Sequence, residues 1–358
     1  RITTLRKPSK LFTTKTYCLW PFNQLLMKNY SKLISFFIAG LILYPGAQTF
    51  GQTSYGDDRS GTEGFQFTKI TVDARSAGMG NSNMADATDG SSLYWNPAMA
   101  SKIGTSFANL SHTSYLVETS QQYFSYIHKY NDFAIGGSVQ YFTSGDQKVT
   151  TETQPFGDGR TFRTHHLSAG LTGSHKITDL FSYGITLRYY YLNFYDITYQ
   201  TGAIDFGFSY DVGDTGLRFG VSVNNFGFEA SPEGEVTNSS PEGETTQEPE
   251  SELSLPTRFI IAAAYDLYET EQNKLVVTAQ INNPSDNSEE LNIGGEYSFM
   301  DQFFFRAGYE FGNEERILPS FGAGIKVPFS GKTLKADYGF TNFDRLGTIH
   351  RISLGFSL

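Results

Sequence analysis

The residues here whose types and spacing could do chemistry are charged side chains set two apart along apolar-polar repeats. Arg188, Arg218, Arg258, Arg306, Lys326, Lys335 and Arg351 occupy one parity of such repeats, as do Asp205, Asp211, Asp266, Glu296, Glu310 and Asp337. Opposed sets of this kind either line a hydrophilic conduit or substrate-binding wall, or close into an ion-pair network that fills an interior. Arg75 stands outside the repeats and could pair with one of the wall acids. That pairing predicts that Arg75→Ala loosens the protease resistance of its own segment.

Other chemistry finds little support. His165, His166 and Ser168 invite comparison with a lipid-modifying hydrolase, but adjacent strand residues point to opposite faces, so at most one histidine shares a site with Ser168. No nucleophile elbow, acidic orienter or oxyanion element accompanies them. Cys18 is the only cysteine and the six histidines lack ligand spacing, so neither a disulfide nor a transition-metal site is expected. The chain reads as non-enzymatic, without cofactor or metal.

The elements that position the charges are strands. Successive strand side chains point to opposite faces, and the last segment shows this in full. Thr348, His350, Ile352, Leu354, Phe356 and Leu358 share one face, with Ile349, Arg351, Ser353, Gly355 and Ser357 on the other. Fourteen strand-like segments follow residue 103, many about ten residues long, the length of a tilted membrane-crossing strand. Tight turns such as Tyr130-Asn131-Asp132, Met300-Asp301-Gln302 and Ser330-Gly331-Lys332 alternate with longer loops near 144–161, 229–256, 282–290, 312–318 and 341–347. This predicts an all-β fold: a transmembrane antiparallel β-barrel over 103–358, with short periplasmic turns and long outer loops. The charges belong on the lumen side, because each would cost about 2–4 kcal/mol facing lipid at the midplane. A mean hydropathy of −0.32 does not oppose this, since lumen and loops dilute the average. A soluble β-sandwich or solenoid would share the alternation, but not its combination with the leader, turn rhythm and aromatic-rich face.

The leader lies at 27–51. Lys28 and Lys32 precede an eleven-residue apolar run, Leu33 to Leu43, and small residues follow at Gly46 and Ala47. The run is too short for a membrane helix and fits a secretory signal peptide starting at Met27. Residues 1–26 read as translated sequence upstream of the true start. Beyond residue 51 the chain holds 20 basic and 37 acidic residues, a net charge of about −17, which excludes nucleic acid as a partner. Much of that excess sits in 229–255, read as an acidic, flexible outer loop.

Residues 52–102 do not alternate. Gly64 to Ile70 leads into Ala74-Arg75-Ser76-Ala77-Gly78-Met79-Gly80, and Leu93 and Tyr94 precede Trp95-Asn96-Pro97-Ala98. Glycines and small residues permit close packing in a confined space, so this segment is expected to fold as a plug inside the barrel. Phe65, Phe67, Met79, Leu93 and Trp95 either line a hydrophobic ligand pocket or form the plug's own small core.

On Phe67-Thr68-Lys69-Ile70, Ala74-Arg75 through Gly78-Met79-Gly80, Tyr94-Trp95-Asn96-Pro97-Ala98 and the ending His350 to Leu358, the chain resembles the PorV/PorQ family of outer-membrane proteins, themselves similar to FadL-type barrels. The resemblance covers roughly residues 64–358. It implies a fourteen-stranded barrel with an N-terminal hatch, in the outer membrane of a Gram-negative, Bacteroidota-like cell. It also implies a role in type IX secretion, where PorV-like proteins accompany the large translocon barrel, receive exported cargo and deliver it to a surface attachment complex. PorQ-like proteins serve a related accessory role, and the opening Val72-Asp73-Ala74-Arg75 leans towards the PorV-like sequences. FadL-type relatives instead pass long-chain hydrophobic molecules, so the alternative is a plug-gated transporter with a lipid or fatty-acid-like ligand. The expected partners are the lipid bilayer, the translocon barrel and secreted cargo.

Overall fold

The computed structural model describes residues 59–150, 154–240, 243–247, 249–312, 316 and 318–358. The expected upstream segment and signal peptide, and residues 52–58 of the expected plug region, lie outside them. Fourteen strands run as a continuous antiparallel meander: β1 Phe107–Ser114, β2 Ser120–Tyr130, β3 Phe133–Thr143, β4 His165–Lys176, β5 Phe181–Phe194, β6 Ile197–Asp211 and β7 Leu217–Gly227. Then come β8 Arg258–Glu269, β9 Asn273–Pro284, β10 Glu290–Phe299, β11 Phe303–Phe311, β12 Ser320–Phe329, β13 Lys332–Phe343 and β14 Gly347–Ser357. The ring closes where β1 pairs with β14, from Phe107 opposite Ser357 to Ser114 opposite His350. Each of the fourteen strands of the ring is therefore paired on both sides.

Facing follows the alternation. On β14, Ile352 and Leu354 are 54% and 46% exposed on the outside, whereas Arg351 and Ser353 are 2% and 3% exposed on the inside. The outside is a continuous apolar surface rich in Phe, Tyr, Leu and Ile. Two register shifts break the regularity, between Ile204 and Phe206 on β6 and between Asp266 and Tyr268 on β8. At the first, Asn224 and Asn225 on β7 stand opposite the single Asp205 on β6, and Asn225 turns with φ +62°. The Asp205 carboxylate, inward by the alternation of its strand, accepts from the Asn225 backbone N–H at 2.7 Å and pairs with Arg188.

One end carries only short connections, such as 131–132, 300–302 and 330–331; the other carries the long ones, including 144–164, 228–257 and 312–319. The short-turn end is periplasmic by the habit of such barrels. The acidic stretch differs from the flexible loop expected of it. Val236–Ser240 pairs with Gly243–Gln247, Pro232–Gly234 extends the sheet beside β6, and Ala230 and Leu253 exchange hydrogen bonds at its root. Backbone pairing needs no apolar side chains, and Ala230, Leu253 and Leu255 dock onto Phe65 and Phe67. That anchors a segment whose composition alone predicts no order.

Candidate functional site

Inside the barrel, residues 64–102 form a hatch of short helical turns. The helix Ala74–Gly78 is started by Asp73, whose carboxylate accepts from the Ser76 N–H at 2.8 Å and from its hydroxyl at 2.5 Å. The helix Ser92–Trp95 is followed by a 3-10 turn, Pro97–Lys102, which Asn96 caps by accepting from Ala98 N–H at 3.0 Å. Proline fits there because the first helical position has no use for an N–H. Asp73 is enclosed, which pushes its carboxyl up to about 6; the nearby Asp89 adds to the rise, and Arg75 and the Ser76 hydrogen bonds oppose it.

The hatch sits on a wall of glycines. The Gly78 and Gly322 backbones meet so closely that a Cβ on Gly78 would lie 2.8 Å from Gly322 Cα. A Cβ on Gly339 would lie 2.6 Å from Ala74 O, and one on Gly294 or Gly308 would strike Met79. Gly80 turns with φ +61° against Tyr309 N, and Gly207 and Gly184 receive Asn96 and Pro97. The quoted plug motif therefore marks the places where hatch and wall backbones touch. Ala98 completes it, its carbonyl accepting from Ser174 Oγ at 3.0 Å.

Charges lock that seat. Arg75 donates to Glu296 on β10 through Nε and Nη2, both at 2.9 Å, and to Asp86 in the hatch at 2.6 Å. Glu296 also receives Arg306, which reaches Asp337 at 2.6 Å. Arg218 bridges Asp86 at 2.9 Å and Asp266 at 2.8 Å. Arg188 pairs with Asp205 and donates to Leu93 O at 2.6 Å. At the periplasmic end Lys102 holds Asp211 at 2.7 Å, and at the outer end Lys69 holds Asp286 at 2.8 Å. The sequence reading did not assign roles to Asp86, Asp89, Lys102 or Asp286. Two acids among small residues in an enclosed segment must find cations, and that signal was there to be used at Asp86 and Asp89.

The five residues offered as one ligand pocket separate. Phe65 and Phe67 pack with Tyr190, Leu192 and Tyr199; Leu93 packs with Ile103, Ile127 and Ala134; Trp95 packs with Val72, Met84 and Tyr94. Met79 lies on the glycine wall. The separation arises because residues 65–95 run down the lumen and each meets a different arc of wall. A cavity does exist at the outer mouth, of ≈ 880 Å³, with Phe65, Phe67 and Trp95 in its lining but neither Met79 nor Leu93. Arg258, Arg316 and Arg351 line it too, together with Phe142 and Leu192. His166 faces this cavity and stacks on Phe142, whereas His165 bonds Tyr141 on the other face. Among the described residues no group of His, Cys, Asp or Glu could hold a metal ion.

Residues 53–285, the hatch and the first nine strands, match the family model described as type IX secretion system protein PorV. The chain belongs to the PorV family. The match stops short of β10–β14, so the likeness of the closing strand is not part of it. No curated protein matches the sequence. Solved structures share the fold of this PorV-family chain: the Pseudomonas putida toluene transporter TodX, at 12% identity and TM-score 0.55 over 80% of this chain and 98% of that one. The Ralstonia pickettii toluene transporter TbuX gives 13% identity and TM-score 0.50 over 83% and 98%. The CymD monoaromatic hydrocarbon channel gives 14% and 0.53 over 80% and 97%.

Proposed function

We propose that this barrel is a non-enzymatic accessory component of type IX-type protein secretion, docking the translocon barrel, secreted cargo or both at its outer mouth. The match to the PorV model through hatch and wall carries the reading. The seat of the hatch supports it: a segment bound by buried ion pairs and wall glycines suits a docking body better than an open pore. Isolation from native outer membranes in mild detergent tests it. A large translocon barrel or exported cargo in stoichiometric amount is the expected outcome. Lipid alone, with no protein companion, would overturn it.

The outer cavity favours one second reading, a plug-gated transporter for hydrophobic compounds; among the proteins that share the fold, TodX is a toluene transporter and CymD a monoaromatic hydrocarbon channel. It predicts uptake of apolar solutes that depends on hatch movement, and no stable protein partner.

A further inference from the structure

On the outside of the wall, near the short-turn end, strands β2 to β5 enclose a groove of ≈ 800 Å³. Its floor is bare backbone. Gly173 on β4 faces outward, and a Cβ there would meet no atom within 4 Å. One on Gly137 of β3, also outward, would meet only Gly170 O, at 3.9 Å. The ladder sets these positions on a grid. Gly173 stands between Ile135 and Ile185, and in the next row Gly137 stands beside Leu171, with Leu187 beyond it. Ile135 and Leu171 are 63% and 62% exposed, so apolar banks rise on either side of the glycine floor.

The row at the strand ends has a different chemistry. Tyr130, Phe133, His175 and Tyr183 stand side by side there, and the Phe133 and His175 rings stack at 4.0 Å. Among the described residues, none hydrogen-bonds the Tyr130 or Tyr183 hydroxyl or the His175 ring. His128, one row deeper, has Nδ1 3.3 Å from Ser106 Oγ and 3.4 Å from Tyr126 OH. With Nδ1 accepting, Nε2 carries the N–H and has no protein acceptor. Asp132 and Asp179 in the adjoining turns are both drawn to Lys176, at 3.7 and 3.1 Å, so the rim does not repel an anion. From the Phe133 row to the Gly137 row is about 13 Å along a strand, or about 10 Å of depth at the usual tilt. The groove therefore lies within one leaflet of a hydrocarbon core about 30 Å thick. An apolar hollow there gives water no partners, and left empty it forfeits dispersion contacts.

We propose that this groove holds one phospholipid of the periplasmic leaflet, an acyl chain laid over Gly173 and Gly137 and its phosphate taking hydrogen bonds from His128, His175 and Tyr130. Two features of the wall select lipid over a protein partner. The groove is continuous with the lipid-facing surface of the barrel, and its unpartnered donors sit at the strand ends, where headgroups lie. A phosphate is the acceptor such donors bond most strongly. The site depends on neither the docking nor the transport reading.

The test uses the purified full-length barrel in mild detergent, with phosphatidylethanolamine or the diacylglycerol of the same chains added and the retained lipid counted by native mass spectrometry. One phosphatidylethanolamine per barrel is expected, held about tenfold or more tightly than the diacylglycerol, the usual scale for a charge-assisted contact. Gly173→Leu has open space for its side chain and points it at lipid, so the variant should fold. It should nonetheless weaken retention of phosphatidylethanolamine about tenfold by filling the floor. His175→Phe keeps the stack on Phe133 and, combined with His128→Phe, should bring both lipids to equal retention. No retained lipid, equal retention of the two lipids by the parent, or retention that Gly173→Leu leaves unchanged would each overturn the proposal. So would a photo-crosslinker on Leu187→Cys that captures protein rather than lipid in native membranes, since the face would then be a protein interface.

Discussion

At the scale of single residues, the hatch is held by charges that cannot be removed singly without exposing another. Glu296 is shared by Arg75 and Arg306, so Glu296→Gln leaves two enclosed guanidiniums short of a partner. Breaking such a buried network costs about 3–5 kcal/mol. The expected outcome is protease cleavage within 64–102 while the barrel itself stays folded, read by limited digestion of the detergent-solubilised protein. Asp73 predicts a pH effect. Its carboxyl is raised to about 6 in the folded state, so the folded protein holds that proton more tightly than the unfolded chain. Stability from this group is therefore present at low pH and is lost as pH rises through about 6. Asp73→Asn keeps an acceptor for the Ser76 N–H and removes the buried charge. The variant should hold its hatch better than the parent above pH 6 and show a flatter profile between pH 4 and 6, followed by hatch digestion across that range.

At the scale of elements, the decisive device is a wall of glycine facing a hatch of small residues. Gly308→Val would drive a branched side chain into Met79, and overpacking of this kind costs about 1–3 kcal/mol. Increased hatch digestion, with retained barrel migration on unheated gels, is the expected result. On the other face of the wall the solvent is lipid. Leu354→Arg should lower folding yield into vesicles, with a cost of about 2–4 kcal/mol, while leaving hatch digestion unchanged. These elements were unevenly legible in the sequence. The β14 repeat, with Ile352, Leu354 and Phe356 against Arg351 and Ser353, is unambiguous because apolar and polar residues alternate without exception over the middle of the strand. β4 is harder to read, because Ser168, Ala169, Gly170, Thr172, Gly173 and Ser174 offer little contrast between its faces. The lumen charges were legible because lipid forbids their other facing. Which acid each would meet was not, since Arg75 and Glu296 lie 221 residues apart. Which of Phe65, Phe67, Met79, Leu93 and Trp95 would line one cavity and which would be packed as core was hidden for a similar reason: aromatic type marks burial, not which arc of wall does the burying.

At the scale of the whole molecule, ties from the hatch run all round the ring: to β2 through Ser125, β5 through Arg188, β7 through Asn224, β9 through Thr278, β10 through Glu296 and β14 through Ser353. The hatch enters beside Ser254 and Asp286 at the loop end, and β1 begins at the opposite end, so this stretch lies threaded through a closed ring. Ties to six strands spread round the ring would let hatch and wall guide each other into place, with the β1–β14 seam sealing around a segment already seated. The stopper of this barrel would thus also be its mandrel, the core on which the staves are bent to the right diameter. Deleting residues 64–102 should delay the appearance of the heat-resistant, fast-migrating species in a refolding time course. Unchanged kinetics would mean that the staves find their curvature alone.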